Sequence, residues 1–218
     1  MQIISFDEML KNAPLDVAER IARDKKLYGM TEFTRRLPTF RTKKQEQRDA
    51  RIVGQLIKIW DEQHDCNGLI RYFMSHCAFL TNPIYWETLR TVWVAAGSTE
   101  TAPLFRPLMQ SKRKAQSWFM TVEDKTAFDK MPDMLQLYRA VDRRYMIDDK
   151  DVVVFNPGMK PLDKTVTEPD PGISWTLDKD WCMEYATVHD RIVKGRMIEK
   201  SKCFAYISRR KEEEIIIL

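Results

Sequence analysis

The chain has 218 residues, 44% apolar and 31% charged, with 36 basic against 32 acidic side chains for a net charge of +4. That is enough apolar material for the core of one elaborate domain or two small ones. No apolar run approaches the roughly 20 residues needed to cross a bilayer, and the start Met1-Gln2-Ile3-Ile4 lacks the basic, then apolar, pattern of a secretory signal, so a cytoplasmic protein is expected. Cys66, Cys77, Cys182 and Cys203 form no CxxC pair, and reduced thiols are the default.

The first half reads as helical. Pro14 can open a helix carrying Leu15, Ala18, Ile21 and Ala22. A second helix from about Lys44 shows Val53, Leu56, Ile57 and Trp60 at i, i+3, i+4, i+7. Asn82-Pro83 signals a cap and first turn for a third, with Tyr85, Leu89, Val92, Trp93 and Ala96 as its apolar face and Gly97 as its end. A composition change near Gly97-Ser98-Thr99 suggests a division into a helical region, 1–98, and a second region, 99–218. Thr121 with Asp124 starts a short helix through about Lys130.

Two stretches join base with aromatic character: Arg35 to Lys44, and Arg106 with Lys112-Arg113-Lys114 before Trp118-Phe119. Such segments either track a phosphate backbone and stack bases or form solvated faces. His64-x-Cys66 and His76-Cys77 match no common zinc spacing, and no metal is expected.

The second half reads as strands. Leu135 to Val141 places Arg139 among apolar neighbours, where a guanidinium needs an anionic partner or a solvated edge. Val152 to Phe155 is a further strand, closed by the turn Asn156-Pro157-Gly158, inside an insertion at about 142–169. In Pro171-Gly172-Ile173-Ser174-Trp175-Thr176-Leu177-Asp178 the alternation puts Ser174 and Thr176 on one strand face and Trp175 on the other. Asp178 offers a cap to a helix with Trp181, Tyr185 and Val188 at i, i+4, i+7. Glu212-Glu213-Glu214 runs into Ile215-Ile216-Ile217-Leu218, which begins a buried strand with Glu212 and Glu214 on one side of it. Paired carboxylates there suit acid–base work or the stabilisation of a cation, and equally serve as gatekeepers of a sticky strand.

Tyr138-Arg139, then Gly-Ile-Ser-Trp-Thr, then Glu-x-Glu is an order that resembles the arginine–serine–glutamate class of ADP-ribosyltransferases, in particular a subgroup common in bacteria and their phages. The resemblance covers about half the chain. It implies an α+β fold, a helical N-terminal half followed by a mixed β core, and an NAD-dependent reaction. By the same resemblance Arg139, beside Tyr138, grips the NAD phosphates; Ser174, with Thr176 and Trp175 on its strand, supports the NAD pocket and orients the carboxylate. Glu214 is then the catalytic glutamate on the nicotinamide ribose, and Glu212 positions the acceptor. Members of this kind act as toxins in toxin–antitoxin and phage-defence systems, which implies a neutralising antitoxin protein. Arg209-Arg210-Lys211 before the pair favours an RNA acceptor, whereas a glutamate at the first position of Glu-x-Glu favours arginine on a protein. Ala140, where the subgroup often has glycine, the long 142–169 stretch, and an end directly after the catalytic strand depart from the pattern. With that ending, little is expected to cover the strand.

Overall fold

The computed structural model describes residues 42–145, 153–157, 170–209 and 212–218, with only the backbone described for Arg209 and Glu212. The helix expected after Pro14, the basic stretch up to Arg41, and most of the 142–169 insertion lie outside the described residues.

Helix α1, Lys43–Gln63, opens on a reciprocal cap in which Thr42 and Gln45 bond each other's backbone. It buries Val53 and Leu56 as expected, together with Ile52 and Ile59. Helix α2, Cys66–His76, and α3, Asn82–Ala96, follow. The α3 cap is Thr81, one residue before the expected Asn82, with Pro83 in the first turn, where its missing N–H costs nothing. Besides the expected stripe, α3 buries Ile84, Trp86, Thr88 and Val94 and so is enclosed on nearly all sides. The shorter α4, Ala102–Met109, and α5, Val122–Lys130, complete this half.

Buried polar contacts hold the layer together. Asp49 of α1 accepts from the Thr81 N–H (3.1 Å) and hydroxyl (2.6 Å), fixing α1 to the start of α3. Arg113 donates to the carbonyls of Cys77, Ala78 and Leu80 and lies over the Tyr85 ring, 4.4 Å from its centroid. Phe119 is buried and Trp118 packs on the core. In this second basic–aromatic stretch Phe119 is therefore core, and the half-buried Arg113 is committed to the carbonyls between α2 and α3.

The sheet has strand order β2-β4-β1-β3-β6-β5. Its members are β1 Met134–Val141, β2 Val153–Phe155, β3 Ser174–Thr176, β4 Ile192–Glu199, β5 Cys203–Arg209 and β6 Glu212–Ile217. All its pairings are antiparallel among the described residues, so the fold is α+β without the mixed sheet the resemblance implies. Neither β4 nor β5 is announced by the sequence pattern. β5 places a strand outside β6, which is therefore hydrogen-bonded on both sides and not left uncovered at the sheet edge.

One face of the sheet receives α5, where Leu135, Leu137, Trp175, Tyr206 and Ile215 pack with Phe128 and Met131. The opposite face carries α6, Lys179–Val188, over β1 and β4, and the α1–α4 layer over Ile173, Ala205, Ile207 and Ile216. A single core cluster thus runs from the helical layer into the sheet, across the expected division near residue 98.

Asp124 ties helices to sheet. Its carboxylate accepts from Arg90 of α3 (2.8 Å) and from the N–H (3.0 Å) and hydroxyl (2.7 Å) of Ser208 in β5. Burial would raise its pKa, but Arg90 and Ser208 outweigh that and hold it below the usual carboxylate range. A depressed folded-state pKa stabilises above the unfolded value of about 3.9, so this contribution fades as pH falls through the lower folded value. Asp124→Ala leaves Arg90 buried without its partner, and a loss of about 3–5 kcal/mol is expected in urea unfolding at neutral pH.

Candidate functional site

Register explains how distant segments meet. Tyr138 of β1 pairs with Thr176 of β3, Thr176 with Glu214 of β6, and Glu214 with Ile207 of β5, so these four stand in one row across the sheet. The row faces the side covered by α3 and α6, and between those helices lies a cavity of about 260 Å³. Trp93 and the Gly97–Glu100 loop line it from the α3 side, and Trp181, Cys182 and Tyr185 from α6. Tyr138, Arg139, Ser174, Thr176 and Glu214 line it from the sheet.

Glu214 is 6% exposed. The Trp93 indole N–H donates to its Oε1 at 3.0 Å. A buried indole seeks an acceptor, and this one supplies a fixed, uncharged donor to a carboxylate that also faces the cavity. The Trp93 ring is itself held edge-on by Phe105, centroids 5.0 Å apart. Gly97 ends α3 in extended backbone; a Cβ there would come 2.5 Å from the Trp93 carbonyl and 2.6 Å from its indole, so only glycine lets the following loop pass so close.

Arg139 is 6% exposed. β1 and β3 share one paired position, and next to it Arg139 joins the strands by donating from Nη1 to the Ser174 carbonyl (2.5 Å). Its Nε donates to Asp170 Oδ2 (3.0 Å) and its Nη2 to Asp170 Oδ1 (3.3 Å) and the Thr99 hydroxyl (2.9 Å). The anionic partner that a buried arginine requires is thus Asp170, in a forked pair. Gly172 lies against the guanidinium so closely that a Cβ would fall 1.6 Å from Nη2.

The sequence-predicted residues separate as follows. Arg139, Tyr138, Ser174, Thr176 and Glu214 meet at the cavity. Thr176, not Ser174, stands opposite Glu214; Ser174 stands opposite Ile216, and among the described residues the hydrogen bond to Glu214 comes from Trp93. Trp175 borders the cavity, but its ring is 8% exposed and packs beneath α5, with Arg196 over it at 5.5 Å. It therefore acts as core, as the strand alternation requires. The Glu212 side chain lies outside the described residues, as do Arg210 and Lys211.

Asp178 caps α6 as expected, accepting from the Trp181 N–H at 2.9 Å. The buried face of α6 is Cys182 and Ala186; of the Trp181, Tyr185 and Val188 series, the first two are half-buried and Val188 is 73% exposed. Only small side chains fit between α6 and the sheet. Trp181 and Tyr185 stack on the adjacent face, centroids 5.3 Å apart, with His189 against Tyr185 at 4.3 Å. Burial pushes the Cys182 thiol up to about 12 against the lowering field of Arg139, so it stays protonated at neutral pH and is no activated nucleophile. His64 and His76 bond the carbonyls of Trp60 and Tyr72 at the ends of their helices.

Trp93, Thr99, Asp170 and Arg191 are site residues that sequence reasoning missed. The available signal was the indole of Trp93 on an otherwise apolar helix face, and an acid upstream of Gly172 to match a buried arginine. Comparison with family models, with curated proteins and with solved structures gives no match to this chain.

Two outcomes are expected. Gly172→Ala forces the guanidinium aside and lowers stability by about 1–3 kcal/mol, measured by urea denaturation. Trp93→Phe withdraws the donor from Glu214 while keeping the aromatic core, and a cost of about 1–3 kcal/mol in the same assay is expected.

Proposed function

We propose that the protein is an NAD-dependent ADP-ribosyltransferase that uses Glu214 to stabilise the reacting ribose and transfers ADP-ribose to RNA. One observation carries the reading. Three motifs separated by dozens of residues, Tyr138-Arg139, Ser174-x-Thr176 and Glu214, line the same cavity, with a buried carboxylate in the central row of its floor.

The chemistry follows from that carboxylate. The bond between the nicotinamide nitrogen and ribose C1′ breaks, and nicotinamide leaves with the bonding pair as a neutral molecule. The ribose gains oxocarbenium character, a positive charge absent from the ground state. A carboxylate fixed beside it stabilises the transition state more than the substrate. The acceptor nucleophile then bonds to C1′ and gives up its proton, with Glu212 on the same strand as the expected recipient. The Trp93 hydrogen bond holds Glu214 in one orientation before substrate arrives, so little reorganisation is left for the reaction itself.

An RNA acceptor is supported by Arg209-Arg210-Lys211, which immediately precedes the strand of Glu214. The protein would then act as an intracellular toxin restrained by a neutralising protein.

The test is incubation with labelled NAD and cell extract, divided afterwards between RNase and protease. Glu214→Gln is expected to lower nicotinamide release at least a hundredfold, about 3–4 kcal/mol in the barrier, and to abolish the label. RNase-sensitive label supports the reading, and protease-sensitive label moves the acceptor to protein. Wild-type protein that neither labels nor releases nicotinamide overturns the reaction.

A further inference from the structure

We infer that Arg191, and not Arg139, is the cation that binds the phosphates of the nucleotide in this cavity; this rests on the reaction proposed above and assigns its anion contact to a residue outside the three motifs.

Among the described residues the cations lining the cavity are Arg139 and Arg191. A guanidinium has five N–H groups. Arg139 makes four hydrogen bonds within the protein, to Asp170 twice, to Thr99 and to the Ser174 carbonyl. Asp170 balances its charge at 3.0 Å, and Gly172 closes on its terminal nitrogens. To grip a phosphate, Arg139 would have to leave Asp170 and open the β1–β3 seam.

Arg191 has the opposite surroundings. It sits in the tight turn between α6 and β4, after Asp190 at φ 50°, with its own N–H bonded to the Ala186 carbonyl at 2.8 Å. Arg143 ties that turn by pairing with Asp190 at 3.0 Å. Among the described residues the Arg191 guanidinium enters no ion pair; it rests on the Tyr185 ring, 5.3 Å from the centroid. A cation–π contact occupies none of the guanidinium N–H groups, which are left for a phosphate. Glu100, an exposed acid on the same rim, pairs with Arg144 at 3.5 Å and also lies within the weaker field of Arg191, without forming an ion pair with it.

Position agrees with this role. The β4 position in the row of Glu214 is Gly195, three strand spacings or about 14 Å across the sheet; Arg191 lies four residues before it, about 13 Å along the strand, so the Arg191 and Glu214 backbones stand on the order of 19 Å apart. A ribose carrying a diphosphate can bridge much of that span, and the arginine side chain supplies reach. The cavity, about 260 Å³, is smaller than the usual pocket for a whole drug-sized ligand of roughly 300–1,000 Å³, so a dinucleotide held at Glu214 extends beyond it toward the rim, where Arg191 stands.

The experiment measures affinity for ADP-ribose and for adenosine, which lacks phosphate, in wild type, Arg191→Gln, Arg191→Lys and Asp170→Asn, with nicotinamide release and thermal midpoint recorded for each. The expected result is that Arg191→Gln removes roughly 10- to 100-fold of the preference for ADP-ribose over adenosine and raises KM more than it lowers kcat. Its melting temperature should not change, and Arg191→Lys should restore part of the preference as a point charge. Asp170→Asn should destabilise the fold without tightening ADP-ribose. The inference is overturned if Arg191→Gln keeps the preference, or if Asp170→Asn tightens ADP-ribose, which would identify Arg139 as the anion ligand. It also falls if Arg191→Gln weakens a single-stranded oligoribonucleotide but not ADP-ribose, because the phosphate would then belong to the acceptor. An Arg191-dependent phosphate preference without nicotinamide release would sink the reaction and leave the phosphate site standing. Release without any phosphate preference would do the reverse.

Discussion

The guanidinium of Arg139 crosses the seam between β1 and β3, where the two strands share a single paired position, and the cavity depends on that crossing. Elsewhere in the sheet, backbone ladders hold neighbours together. Here a side chain takes over, bonding the Ser174 carbonyl, Thr99 of the loop that follows α3, and the carboxylate of Asp170. A buried charge with all its partners present is held firmly, whereas the same charge missing one is a large penalty. The seam is therefore either closed in one geometry or not formed at all. Gly172 is the steric counterpart, since its lack of a side chain makes the room.

The helical layer contributes more than bulk. α3 is enclosed on nearly all sides, and from its last turns Trp93 reaches the carboxylate while Gly97 lets the chain bend into the cavity wall. Asp124 and Asp49 fasten the layer to β5 and to α1 through short contacts from buried carboxylates. The candidate site thus sits between layers that share one core cluster, and its two walls, α3 and α6, come from opposite halves of the chain.

Much of this was legible in the sequence, for physical reasons. The α1 and α3 stripes, the Thr121 and Asp178 caps, and the β1 and β6 runs are local patterns, and local patterns survive in a single sequence. β4 and β5 escaped because Ile192-Val193-Lys194-Gly195-Arg196 and Cys203-Phe204-Ala205-Tyr206 lack clean alternation: their faces are buried unevenly by α5, α6 and the helical layer. The spacing of Trp181, Tyr185 and Val188 did not identify the packed face of α6, because closeness to the sheet admits the small Cys182 and Ala186 instead. Arg139 was recognised as needing an anion, but its partner Asp170 lies 31 positions away, and no spacing rule connects them. The Trp93–Glu214 bond spans 121 positions and could be read only after folding.

The place of β6 within the sheet has a consequence for how the molecule forms. It is the last of the six strands in chain order, yet it lies between β3 and β5, and β5 pairs with β6 alone among the described strands. On a growing chain, every earlier element can emerge before β5 has a neighbour. The sheet is then completed when β6, with β5 beside it, docks on β3, a long-range step that is slow in comparison with helix formation. Because β6 carries Glu214, the buried carboxylate is the last of the described residues of the floor to take its place. Until β6 docks on β3, the cavity lacks its buried carboxylate and the Trp93 indole N–H lacks its acceptor.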